Sequence, residues 1–316
     1  MAQHALGQTL SLLTAVTWAV AVVLFKRSGD SIPPVALNLF KNAVGLALLG
    51  LTLVGLAAWR PAEVWSIAEL TREEICQLLL SGIIGMAIAD SLFLRALNLI
   101  GVGLFSIVDC AYAPLVMLMA WLLWHELLLP IQYLGAALVV AGVFLATPHR
   151  RPHDRTWGQL VLGVLLALLA ITLTAFAIVW IKPILEHTSV IWATTLRMAA
   201  GFGMLALFSL LGRRGRQHWQ VFRPSPSWRY ALPGAVLGTY LSLLFWIGGF
   251  KYTSASVASI LNKTTVIFQA VLAAVVLREP FGRRQAAALT IALGGVVVVT
   301  FGAQLTEFVH RWRALG

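Results

Sequence analysis

The sequence predicts an all-α polytopic membrane protein with ten transmembrane helices, arranged as two inverted five-helix halves. Composition is the first reason. Of 316 residues 59% are hydrophobic and 11% charged, where a typical globular domain is about a quarter charged. The second reason is that apolar windows of roughly 17 to 25 residues, each long enough to cross a hydrocarbon core of about 30 Å as a helix, recur along the chain. The third is that the second half of the sequence repeats the first.

The windows lie at 6–25, 34–57, 75–97, 102–124, 131–147, 157–181, 189–211, 230–250, 254–277 and 285–302. Lipid offers backbone groups no hydrogen-bonding partner, and the windows are too long and too little alternating for barrel strands, so each is expected to be a helix. The first is read as a helix and not as a cleaved leader. Met1 to Gly7 carries no Lys or Arg, and Lys26–Arg27 follow the apolar run instead of preceding it. Cys76 and Cys110 are too few for a disulfide framework.

The formal charge of +11 is spread over short interhelical loops, a distribution unlike the single basic stripe of a nucleic-acid binder. If the loops alternate between side A, which holds both termini, and side B, then side B carries thirteen Lys and Arg and side A six. The positive-inside rule makes side B cytoplasmic and places the termini outside. Four cations, Lys41, Arg95, Arg197 and Lys263, fall inside windows.

The internal repeat is visible residue by residue. Gly7-Gln8 returns as Gly158-Gln159, and the helical-face pattern Asn38, Lys41, Asn42, Gly45 returns as Thr194, Arg197, Met198, Gly201. The tract from Tyr112 to Thr147 answers that from Val266 to Gly302, with Glu126 over Glu279. Five helices per repeat is an odd number, so the copies cross the bilayer in opposite senses. Transporters built this way hold substrate near the midplane between the halves. With Pro114, Glu126, Gly135 and Gly142 in the first tract and Glu279 and Gly294 in the second, the sequence resembles the paired EamA repeats of the drug/metabolite transporter superfamily. The expected organisation is a first repeat at 7–147, a basic linker at 148–156, a second repeat at 157–302 and a tail at 303–316. The second repeat has Ile267 where the first has Pro114, so a proline kink is expected in the fourth helix and none in the ninth.

Charge inside a bilayer is costly enough to mark function. At a rise of 1.5 Å per residue, Lys41, Asp90 and Asp109 lie about 9–12 Å below side B, and Arg197 and Lys263 about 12–14 Å below side A. Lys41 and Arg197 are counterparts, whereas Asp109 faces Asn262 and Asp90 faces Leu243. The expected substrate-binding residues are Lys41, Asp109, Tyr112, Arg197, Lys263, Asn262, Trp18 and Trp246, with Asp90 and Asp109 as candidates for proton coupling. Lys263 has a competing role as a structural partner of Asp109 or Asp90. Arg95 is close enough to side B to reach water. Glu126 and Glu279 are expected to cap the helix that follows each, and Gly234–Gly238 to allow close helix approach.

Catalytic motifs are missing. His125–Leu129 lacks the second histidine of a zinc HExxH, and no phosphate loop or serine elbow occurs. No cofactor or metal is expected. The predicted function is secondary active transport of a small polar metabolite, an amino acid or derivative, by alternating access across a cell inner membrane. Arg197 and Lys263 would face its carboxylate and Asp90 or Asp109 its amine. Efflux is what the family resemblance implies. The rivals are an anion or phosphorylated-metabolite carrier and an enzyme on lipid-linked substrate. The expected partners are lipid, the cargo and a coupling proton, in a monomer or homodimer.

Overall fold

The computed structural model describes residues 2–59, 70–125, 130–146, 156–212, 215–252, 261–279 and 281–298, and these are helical almost throughout, with no strand among them. Six helical runs are long and apolar enough to cross a membrane. The first two are α1 (Ala2–Gly29) and α2 (Pro34–Trp59).

The third run, Arg72–Asp109, is two helices. Gly101 breaks it with φ 78° and ψ 171°, a left-handed conformation that glycine adopts without a Cβ penalty. Before it lies α3 (72–100). Beyond it α4 starts at Val102, passes a break at Cys110–Ala111 and continues as Tyr112–Trp124. There follow α5 (Pro130–Ala146), α6 (Trp157–Trp180), α7 (Val190–Leu211), α8 (228–252), α9 (Thr265–Val275, preceded by a helical turn at 261–263) and α10 (283–298). Helix starts follow local chemistry: Thr71 and Glu74 form a capping box on α3, and Thr156 and Gln159 one on α6.

The alternation of loop sides finds support in contacts between distant loops. On side A, His187 Nε2 lies 2.9 Å from Glu74 Oε1. On side B, Arg27 donates to Val276 O at 2.8 Å, Asn98 to Gly29 O at 3.1 Å, and Ser31 and Ser227 share a hydrogen bond. Every one of these contacts joins loops assigned to the same side.

Glu279 caps a different helix from the one expected. Its carboxylate accepts from Val102 N at 3.0 Å and Gly103 N at 2.7 Å, so it sits on the N-terminus of α4 in the other half of the chain. The carboxylate still meets the positive end of a helix dipole. The helix was wrong because Gly101 presents a free N-terminus beside the α9–α10 turn. Glu126 and most of the basic linker lie outside the described residues.

Close approach at the glycines of α8 is as expected: a Cβ on Gly238 would stand 2.7 Å from Ala21 Cβ, and one on Gly234 3.1 Å from the Phe25 ring. The main core draws on all of these helices except α7, with Trp18, Phe93 and Phe105 in a chain of ring contacts.

Candidate functional site

Both halves depart from regular α-helix at matched places. In α3, residues Ile83–Ala89 form a π-helical turn that ends one residue before Asp90. In α8, Ala235–Ser242 form another, ending one residue before Leu243, the counterpart of Asp90. Such turns displace side chains and free carbonyls, and they cluster at functional sites. The first is fastened by α2: the Asn38 amide donates to Met86 O at 2.9 Å and Ala87 O at 3.0 Å, and Asn42 to Met86 O at 3.2 Å.

The second matched pair of departures lies in α4 and α9. Around Cys110–Ala111 the backbone tightens to bonds from Cys110 N to Ile107 O and Ala111 N to Val108 O. Pro114 explains this, since its ring clashes with the carbonyl four residues earlier, that of Cys110. The expectation that the two halves do not bend alike, because Ile267 stands where the first has Pro114, is not met. The α9 region breaks at Thr264 without a proline. There the Thr264 hydroxyl donates to Leu261 O at 2.6 Å, and Ile267 N bonds Thr264 O at 3.0 Å. A threonine that competes for helix carbonyls loosens the turn it sits on. The two halves therefore bend at matched positions by different chemistry.

The intramembrane charges meet at these irregularities. Lys41 Nζ contacts Asp90 Oδ2 at 2.5 Å, within the first half. Lys263 Nζ lies 3.3 Å from both Asp109 Oδ2 and the Asp109 carbonyl, which the helix break exposes, so this pair joins the two halves. The same ammonium stands 4.4 Å above the Tyr112 ring, a cation–π contact. Arg197 is 4% exposed. Its Nε and Nη1 have no hydrogen-bond partner, and a Cβ on Gly85, in the α3 π turn, would be 3.4 Å from its Nη2. Asp90 and Tyr112 lie within its electrostatic reach, and Tyr112 also feels Asp109. In place of two separate charge layers the structure shows two ion pairs, one of which also touches the Tyr112 ring, with Arg197 buried against the α3 π turn.

Water reaches these charges unevenly. The Asp90 and Asp109 side chains keep 25% and 17% of their exposure, and Lys263 12%. Asn262, beside Lys263, has both amide atoms buried without a partner. Trp18 stacks on Phe93 with centroids 6.0 Å apart and meets Phe25 edge-on, so it belongs to the aromatic core. Trp246 is half-buried on α8, and Arg95 is exposed. Sequence reasoning missed Asn38 and Asn42 as fasteners of the α3 turn; two amides one turn apart beside an intramembrane lysine were the available signal. A cavity of about 330 Å³ opens elsewhere, on side A, between Glu73, Glu74, Trp180 and His187.

Among the described residues no cluster of His, Cys, Asp and Glu could hold a metal ion. The EamA-like transporter family matches residues 5–147 and 161–301. No curated protein matches the sequence. One crystal structure of a protein superposes with a TM-score of 0.66 at 18% identity over 96% of this chain and 99% of that one. At that identity the likeness concerns the fold alone.

Proposed function

The chain belongs to the EamA-like transporter family, and on that premise we propose that it is a secondary active transporter that exports an amino acid or derivative by alternating access. The reading includes ten crossings in two inverted repeats, 7–147 and 157–302, a cell inner membrane, and side B facing the cytoplasm with both termini outside.

The observation that carries this reading is the coincidence of buried charge with broken helix. Lys41, Asp90, Asp109, Arg197 and Lys263 converge where α3 and α4 leave regular geometry, with Lys263 beside the Thr264 break. Carriers with inverted repeats bind cargo at such discontinuities, because irregular backbone at membrane depth is stable only where it lines a polar site. Arg197, buried with unpartnered N–H groups, is the natural grip for a carboxylate. The partly exposed Asp90 can meet an amine. Asp109, whose lysine comes from the opposite half, is the better candidate for a coupled proton, because protonation would release a contact between halves.

The test is counterflow of radiolabelled amino acids in proteoliposomes of the purified chain. We expect saturable exchange, and loss of proton-driven flux in Asp109→Asn. Exchange no faster than in empty liposomes would reject the transport reading. Unchanged pH dependence in the variant would remove Asp109 from the coupling.

A further inference from the structure

Among the described residues the buried charges of the site do not cancel. Lys263 and Asp109 neutralise each other, and Lys41 and Asp90 form the second pair. Arg197 is left over. It shares the field of Asp90 with Lys41, so that corner of the site holds two cations and one carboxylate. Arg197 is 4% exposed, and two of its guanidinium nitrogens, Nε and Nη1, are buried without a hydrogen-bond partner. Guanidinium cannot shed its proton to escape this, and a buried charge without a partner is among the most destabilising features a fold can carry.

We propose that this surplus selects the cargo: the site takes a small carboxylate of net charge −1, docked on the Arg197 guanidinium, in preference to a neutral zwitterion. This rests on the transport reading and narrows it. An ordinary zwitterionic amino acid brings one positive and one negative charge and leaves the site at +1, whereas a net monoanion brings it to zero. Acidic amino acids, N-acylated amino acids and hydroxy acids meet the requirement. Lys263 is not a second carboxylate ligand in this arrangement, because Asp109 and the Tyr112 ring already occupy it. A planar carboxylate matches the two-pronged guanidinium, which a spherical chloride ion does not.

The first measurement needs no knowledge of the natural cargo. Thermal unfolding of the full-length protein in detergent is followed while sodium acetate replaces sodium chloride at fixed ionic strength, and while glycine is added to the chloride buffer. Acetate should raise Tm by roughly 2–6 °C at saturation and glycine by much less. Arg197→Gln should abolish the acetate effect while raising Tm in chloride, since it removes the unpaired charge. Should that variant not fold, Arg197→Lys, which keeps the charge and loses the fork, should retain a weaker acetate shift. Equal protection by acetate and chloride, by acetate and glycine, or an acetate shift that survives in Arg197→Gln would overturn the proposal.

The second measurement is counterflow with L-leucine, N-acetyl-L-leucine and L-glutamate. Exchange of the two anions ahead of leucine supports the proposal. Exchange of leucine alone leaves the transport reading standing and sinks the charge argument. No exchange of any of the three, together with Arg197-dependent acetate binding, upholds the anion site and discards amino-acid transport.

Discussion

A single carboxylate ties the two halves together at side B. Glu279 reaches from the α9–α10 turn to accept two backbone N–H bonds at the start of α4, where the free N–H groups and the helix dipole both favour negative charge. Gly101 is the residue that makes this possible. Its φ of 78° turns the chain, and a Cβ there would stand 2.7 Å from the Glu279 carboxylate. Glu279→Gln keeps one acceptor oxygen and loses the charge, and should cost about 1–2 kcal/mol, read as a lowered Tm of the purified protein. An unchanged Tm would mean that water caps α4 equally well. The sequence showed the glutamate and its repeat, and it showed that helix termini attract carboxylates. It could not show which terminus, because that depends on how two helices far apart in the chain pack.

At the scale of elements, the two kinds of irregularity differ in how openly they are written. The α4 break has a proline three residues past Ala111, and was expected. The α9 break has only Thr264 competing for the Leu261 carbonyl, a signal indistinguishable in sequence from the many threonines elsewhere in the helices that bond the carbonyl four residues back and leave regular helix intact, such as Thr172 and Thr174. The π turns were not legible at all, since they arise from packing: Gly82 lies so close to α7 that a Cβ there would meet the Arg197 carbonyl at 2.1 Å. A consequence can be tested in α9. Its helix already gives up regular bonding before Ile267, so Ile267→Pro forfeits one bond, from Ile267 N to Thr264 O, in place of a full helical turn. It should cost about 1 kcal/mol, against about 3 for a proline in an intact interior such as Val271→Pro. The comparison is made by thermal unfolding of the two variants. Equal losses would show that α9 is continuous through Thr264 in solution.

At the scale of the whole molecule, the two ion pairs of the candidate site stand in unlike relations to its duplicated plan. Lys41–Asp90 lies inside one repeat, so it can persist if the halves rock as bodies. Lys263–Asp109 spans both repeats, at the break in each helix, and any rocking must strain or open it. Duplication, membrane composition and the identity of the charged residues were all legible in the sequence. The pairing was not, because depth along a helix says nothing of azimuth, and Lys263 and Asp109 were assigned to different layers on depth alone. The chain supplies its own reporter of the difference. Cys110 is fully buried beside Asp109 at the α4 break, whereas Cys76 is exposed on α3. A membrane-permeant maleimide should label Cys76 readily in the native protein and Cys110 slowly, at a rate set by how often the α4–α9 contact opens. Lys263→Gln removes the attraction across the halves and should speed Cys110 labelling roughly ten-fold, the shift that about 1.4 kcal/mol in the opening equilibrium produces. Lys41→Gln, which breaks a pair inside one half, should leave Cys110 as protected as before, with Cys76 labelling constant throughout as the control. If both variants expose Cys110 alike, the two pairs are equivalent struts and the seam between repeats does not run through Lys263 and Asp109.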